Sequence, residues 1–425
     1  MERFRLKKNI KTTLLAFIVN LLLVFVSYRV LIMVGGVAAV GIWATTLAWA
    51  SVVRFGDLGM ANASVRFVAR YDHEKEVEQI AKVIETGIVS NALLFASLNF
   101  IVYLVLLETL HFAFSVPEEL ADALKLLPFL LMGQFISNTA NAFLGVLTGL
   151  HKGYLASYMR IVGNVAQLVL VLVLVPRMGI TGLAIAQITQ FCVTGLFAWI
   201  AILKTVKMPF ILPYWIDKKT FREMLGFSIS SQLSSIANGL FEPLSKILLS
   251  LTSSTEVQGL YELAYKSAFL PRNGVVAAVN ASLPAMTYLY REDKPAFQTL
   301  YKTASKRSFI ASALVMGCVA LGAPMASYLW MGYIDTNYWL MVVGLCFAFF
   351  ISAWAAPAYL LAQITGKFRE NTIVSFAAAA VLFIIGRSIA AIFNHPAAGI
   401  VGVIIVVLVG SNLIIKALNE QRFLK

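Results

Sequence analysis

The sequence predicts an all-α integral membrane protein of about twelve transmembrane helices, arranged as two six-helix lobes around a central cavity. Three observations carry this. Of 425 residues, 60% are hydrophobic and only 13% charged, and the mean hydropathy is +0.81, far outside the habit of water-soluble domains. The apolar residues fall in runs, and each crossing needs roughly 20 of them for about 30 Å of hydrocarbon. About twelve such runs with short connections use the whole length.

The first run, 11–34, follows the basic start "MERFRLKKNIK" and has no small-residue cleavage motif soon after it, so it reads as a retained span. The second, 38–56, ends in the unusual "VVRFGDLGMANASVRFVAR", and the charged connection "YDHEKEVEQ" leads to a third at 80–107. Spans at 124–148, 154–175 and 180–203 follow, introduced by "SVPEEL", "GLHKG" and "GITGLA". A basic, proline-containing, aromatic stretch, "LKTVKMPFILPYWIDKKTFREM", lies almost at the midpoint and reads as a cytoplasmic linker, 204–223, between lobes 1–203 and 224–425. The second lobe is expected to cross at 224–250, 258–289, 304–331, 338–364, 371–393 and 397–417.

Charge orients these spans. One set of loops holds Arg3, Arg5, Lys7 and Lys8, then Arg66, Arg70 and Lys75, then Lys152, then Lys204, Lys207, Lys218 and Lys219, then Arg291 and Lys294, Lys367 and Arg369, and finally Arg422 and Lys425. By the positive-inside rule those loops and both termini are expected in the cytoplasm. The alternate loops carry Glu108, Glu118, Glu119, Asp122, Glu256 and Asp335, with Arg177 and Lys125 as basic exceptions. The formal charge of +13 is thus explained by topology and not by nucleic acid, since the cations form short clusters between apolar runs. Cys192, Cys318 and Cys346 stand inside apolar runs without metal or redox spacing and read as small core residues.

Self-similarity across the linker supports a duplication. Thr148-Gly149 answers Thr365-Gly366, "GITGLA" at Gly179 answers "GIVGVI" at Gly399, and "NAS" at Asn62 answers "NAS" at Asn280. The three offsets are nearly equal, and six is an even number of spans. The halves are therefore expected to share one orientation and to relate by an axis along the membrane normal.

In span order, "DLGMANASVRFVAR" with "YDHEKEVEQ", then "SVPEEL", "GLHKG" and "GITGLA", resemble the pattern of the Wzx-type polysaccharide flippases, including those for O-antigen. That family belongs to the multidrug/oligosaccharidyl-lipid/polysaccharide exporter superfamily, which also holds the MATE multidrug transporters and the lipid II flippases. The resemblance implies a bilobal transporter in the bacterial inner membrane. Its cargo would be an undecaprenyl-diphosphate-linked oligosaccharide, moved from the cytoplasmic to the outer leaflet by alternating access. It also implies membrane lipids, the polysaccharide polymerase and the chain-length machinery as partners, with no nucleic acid and no cofactor.

Charges within the apolar runs are the candidate site. A charged side chain near the bilayer centre costs about 2.5–3.5 kcal/mol on insertion scales, so it persists where it faces water, a partner or a substrate. Arg29, Arg54, Lys246, Lys266, Arg272 and Arg387 are the candidate substrate-binding cations, with Asp57, Glu242 and Glu262 as ion-pair or coupling acids. Arg54 and Asp57 are three residues apart and suited to pair. Glu242-Lys246 and Glu262-Lys266 have the favoured i,i+4 order, so two self-neutralised pairs are the bland reading. Arg29, Arg272 and Arg387 lack an obvious local acid, and a diphosphate is the natural ligand for such cations. Pro243 and Pro271 beside these charges suit bent helices, and "YELAY" at 261–265 with Asn238, Asn273 and Asn280 offers groups either to a sugar or to neighbouring helices.

Other classes fit less well. His73, His111, His151 and His395 have no metal, triad or relay spacing. A membrane glycan ligase or acyltransferase would want a larger outer loop than "LETLHFAFSVPEEL". A cation-coupled drug exporter would favour an acidic aromatic cavity, whereas the excess here is basic. The connection between spans two and three also lacks the Gly, Asp and paired Arg spacing of a major-facilitator carrier.

Overall fold

Lipid offers backbone amides and carbonyls no partners, so apolar runs of this length must satisfy them internally as helices. The computed structural model describes residues 2–56, 59–74, 76–206, 213–365, 369–393 and 396–423. Among them are thirteen α-helices, two short 3-10 turns and no strand. Asp57, Lys75, Lys207, Lys367, His395 and Lys425 lie outside the described residues, as do the side chains of His73 and Asn238.

Helices α1 (Glu2–Ala50) and α5 (Gly153–Val206) contain 49 and 54 residues, or about 74 and 81 Å if straight. That is more than twice the roughly 30 Å of hydrocarbon. Each is interrupted by one glycine with a left-handed φ, Gly36 at 68° and Gly179 at 57°, a conformation open to glycine and costly for L side chains. In α5 the chain folds back on itself, placing Gly182 directly against the Leu174 carbonyl. Eight helical stretches are long and apolar enough to cross a membrane, and these two each provide a pair of crossings.

The remaining two crossings are interrupted and more polar. Span seven is split into α6 (Lys218–Gly239) and α7 (Phe241–Ser250), and span eight into α8 (Thr255–Asn280) and α9 (Leu283–Glu292). Pro243 sits at the start of α7, where its missing N–H costs nothing, whereas Pro271 lies inside a continuous α8. The expected bends therefore occur as breaks at Leu240 and at Ala281–Ser282. The other spans are α3 (Val77–Thr109), α4 (Pro117–Gly149), α10 (Lys294–Met331), α11 (Thr336–Thr365), α12 (Arg369–Ile392) and α13 (Ala397–Phe423).

One element was not foreseen. The charged connection after span two contains α2 (Met60–Glu74), a 15-residue amphipathic helix. Its Ala63 and Val68 are fully buried in a cluster with Ile84, Leu147, Ile202 and Met224. Apolar residues one turn apart among arginines make a face too short to register as a span.

The chain forms two compact units, residues 1–36 with 46–233 and residues 37–45 with 234–425. The first is built around the α2–α3–α4–α5 cluster just described. The second has α11 at its centre and a core of Met286, Phe297, Tyr301, Leu360 and Leu361. Segment 37–45 belongs to the second unit because it lies backbone to backbone on α8. A Cβ on Gly41 would overlap the Thr255 carbonyl, and a Cβ on Gly259 would overlap that of Val37. Thr45 Oγ1 donates to Gln258 Oε1, and Gln258 Nε2 donates to the Ser253 carbonyl at 2.9 Å. Cys346 is buried, but Cys192 and Cys318 are exposed, correcting their reading as core residues. In a membrane span an apolar run covers the lipid face as well as the core, so hydropathy alone does not separate the two.

Candidate functional site

The helices α7 and α8 form an antiparallel pair joined through Ser254, whose hydroxyl caps α8 by accepting from the Val257 N–H. Lys246 and Glu262 each lie eight residues from Ser254, and Glu242 and Lys266 each lie twelve. Antiparallel register therefore sets each lysine opposite a glutamate, about 12 and 18 Å from the turn at 1.5 Å per residue.

The contacts follow. Lys246 Nζ lies 2.7 Å from Glu242 Oε1 and 2.7 Å from Glu262 Oε2, and Lys266 Nζ lies 3.1 Å from Glu242 and 3.8 Å from Glu262. The two self-contained i,i+4 pairs expected from the sequence are thus one cross-linked quartet, in which the Glu262-Lys266 pairing is the longest contact. Its members differ in access: the side chains of Glu262 and Lys246 are 1% and 9% exposed, those of Lys266 and Glu242 21% and 29%. A dry pair therefore anchors a pair that reaches an accessible surface.

Aromatic groups line the quartet. Lys246 Nζ stands 5.1 Å from the Tyr265 ring centre, and Lys266 Nζ stands 5.9 Å from both Tyr265 and Phe269. Tyr265 stacks on Phe269 at 5.2 Å and meets Phe349 edge-on. Tyr261 donates to Ser245 at 3.1 Å, so the hydroxyl of this fully buried tyrosine is occupied within the helix pair.

Arg272, about 27 Å along α8 from Ser254, has a different environment. Its Nη2 donates to Ser352 Oγ at 2.8 Å and its Nη1 to Asn273 Oδ1 at 3.1 Å, while the buried Nε has no acceptor. No carboxylate pairs with it among the described residues. The quartet is charge-balanced, so Arg272 is the uncompensated cation of this helix pair.

The other candidates lie on other elements. Arg387 is exposed on α12, beside a Gly386 packed against Leu248, and Arg54 is exposed at the end of the 3-10 turn 51–56. Arg29 is half-buried in α1 within the first unit, and Asn273 serves Arg272. Two further charges escaped sequence reading. Lys416 is buried 4.8 Å from the Trp354 ring centre and paired with Glu420, which accepts the Tyr301 hydroxyl at 2.6 Å. Lys416 stands at the very end of the expected span 397–417 and Glu420 beyond it, and their i,i+4 spacing was the available signal.

Three comparisons bear on this arrangement. The sequence pattern of the polysaccharide biosynthesis protein family matches residues 6–289, which include the quartet and Arg272. No curated protein matches the chain in sequence. Among solved structures, the fold is similar to a multidrug resistance MATE family transporter of the MOP superfamily in its inward-facing conformation, with a TM-score of 0.77 and 16% identity over 98% of this chain and 97% of that one. An outward-facing structure of such a transporter has a TM-score of 0.71 and 16% identity, covering 98% and 95%. A MOP-superfamily transporter from Pyrococcus furiosus, described as having a binding pocket of reverse polarity that suggests a different function, has a TM-score of 0.70 and 17% identity, covering 99% and 95%. At such identities these likenesses establish the fold alone. The family pattern covers 284 of 425 residues, and the chain, a multi-pass membrane protein with a transporter fold, belongs to the polysaccharide biosynthesis protein family.

Proposed function

We propose that this protein flips an undecaprenyl-diphosphate-linked oligosaccharide from the cytoplasmic to the outer leaflet of a bacterial inner membrane, for assembly of a surface polysaccharide. The observation that carries the reading is Arg272: a guanidinium set in a membrane helix pair, bonded only to neutral partners and with a buried donor unmet. Such a group has its charge available for phosphate oxygens, and its planar fork suits them better than a lysine does. Lys266, shared between two carboxylates at 3.1 and 3.8 Å, is the second cation able to turn toward an incoming anion. Family membership supports a role in polysaccharide biosynthesis, and the fold supports transport over catalysis. The basic loops support cytoplasmic termini.

A cation-coupled multidrug exporter is the rival reading, favoured by the similarity to MATE structures. Against it, both carboxylates of the quartet are already matched by lysines. One experiment separates the two: uptake of labelled lipid-linked oligosaccharide into inverted vesicles, beside efflux of cationic dyes from whole cells. Arg272→Gln is expected to reduce glycan uptake at least tenfold at normal expression, with partial recovery in Arg272→Lys. Full uptake by Arg272→Gln, or dye efflux without glycan uptake, would remove the proposed mechanism.

A further inference from the structure

The segment before α6 is held to α3 by its backbone. Glu85 Oε1 accepts the N–H groups of both Tyr214 and Trp215 at 3.0 Å, and Thr86 Oγ1 accepts that of Asp217 at 3.0 Å. Asp217 in turn caps α6, its Oδ2 accepting from the Thr220 N–H at 2.8 Å. One carboxylate oxygen bound to two consecutive amides fixes the rotation of the chain there, so the side chains cannot turn inward. Tyr214 and Trp215 are accordingly 78% and 64% exposed. Lys218, Lys219 and Arg222, in the first turns of α6, are exposed as well, as is Glu223.

The depth of this surface follows from α3. Its 33 residues measure about 50 Å, some 20 Å more than the hydrocarbon core of about 30 Å. With that excess shared equally between the two ends, about 10 Å extends beyond each boundary, and Glu85, eight residues after Val77, lies about 12 Å along the helix. The latch thus presents Tyr214 and Trp215 at the level where acyl chains meet headgroups. Aromatic rings with a polar tip are suited to that level, and basic residues near an anionic leaflet are attracted to it.

We infer that residues 214–222 form an anionic-phospholipid site: Tyr214 and Trp215 enter the headgroup boundary, while Lys218, Lys219 and Arg222 bind lipid phosphates. The site is independent of the transported substrate. It is tested on the full chain in vesicles holding equal mole fractions of phosphatidylglycerol or phosphatidylcholine brominated near the headgroup end of the acyl chain. The chain has seven tryptophans, so the Trp215 signal is read as the difference between the wild type and Trp215→Phe. Brominated phosphatidylglycerol is expected to quench this signal at least twofold more than brominated phosphatidylcholine. Replacing Lys218, Lys219 and Arg222 together by Gln should bring the two to parity, and Glu85→Ala should lower quenching by both lipids. Quenching by aqueous iodide but by neither bromolipid would overturn the site. Equal quenching of the wild type by the two lipids would overturn its anionic character, and unchanged quenching in Glu85→Ala would overturn the latch.

Discussion

Lys246 and Glu262 meet at 2.7 Å with 9% and 1% of their side chains exposed, and neither is tolerable alone. Removing one partner of a buried ion pair costs about 3–5 kcal/mol, because the other is left as an uncompensated charge, while replacing both by apolar groups is often neutral. Lys246→Met should therefore lower the detergent melting temperature markedly, whereas Lys246→Met with Glu262→Met should recover most of it. A double variant no more stable than the single would show that the pair does not act as a unit. The acids and bases of this site were legible in the sequence as charges inside apolar runs, and so was the Glu242-Lys246 pair; the cross-pairing of Lys246 with Glu262 and of Lys266 with Glu242 was not. Helical spacing sees contacts within one helix, and the cross-bridges arise from antiparallel register about Ser254, a property of two helices.

At the scale of elements, the close approach of segment 37–45 to α8 is a contact that only glycine permits on both sides. Gly41 and Gly259 leave no room for a Cβ, and Thr45 bonds to Gln258 one turn further along. Small residues that let backbones meet are a common basis of helix association in lipid. Segment 37–45 and α8 belong to one compact unit, so on the proposed alternating-access cycle the contact moves as one body and persists. Thr45→Cys with Gln258→Cys should thus form a disulfide under mild oxidation and leave glycan transport unchanged. Adding Gly41→Leu should abolish that cross-link by separating the backbones. Arrest of transport by fully cross-linked protein, reversed on reduction, would show that the contact parts in the cycle. The long uniform spans were readable because each is one apolar run. The breaks at Leu240 and Ala281–Ser282 and the helix α2 were not, because they depend on packing and on polar content too short to shift a hydropathy window.

For the molecule as a whole, the proposed function makes charge movement the driving force. The number of crossings was legible from length and hydropathy alone, since lipid forces every run into a helix; the packing of segment 37–45 on α8 was not, because it rests on a backbone contact between distant glycines. Among the described residues, the candidate coupling acids provide no obvious proton or sodium carrier. Glu242 and Glu262 are both matched by lysines, so accepting a cation would require breaking the quartet. A diphosphate-linked cargo carries its own charge instead. Moving a doubly negative headgroup out of an inside-negative cell gains about 4.6 kcal/mol per 100 mV, at about 2.3 kcal/mol per charge, provided the protein's charges stay in place. In right-side-out vesicles loaded with the lipid-linked glycan, an inside-negative potassium diffusion potential should accelerate appearance of the glycan on the outer face. Reversing the potential should slow it, and collapsing only the pH gradient should leave it unchanged. Insensitivity to potential combined with arrest on loss of the pH gradient would return Glu242 and Glu262 to the role of proton carriers, with the quartet opening and closing in each cycle.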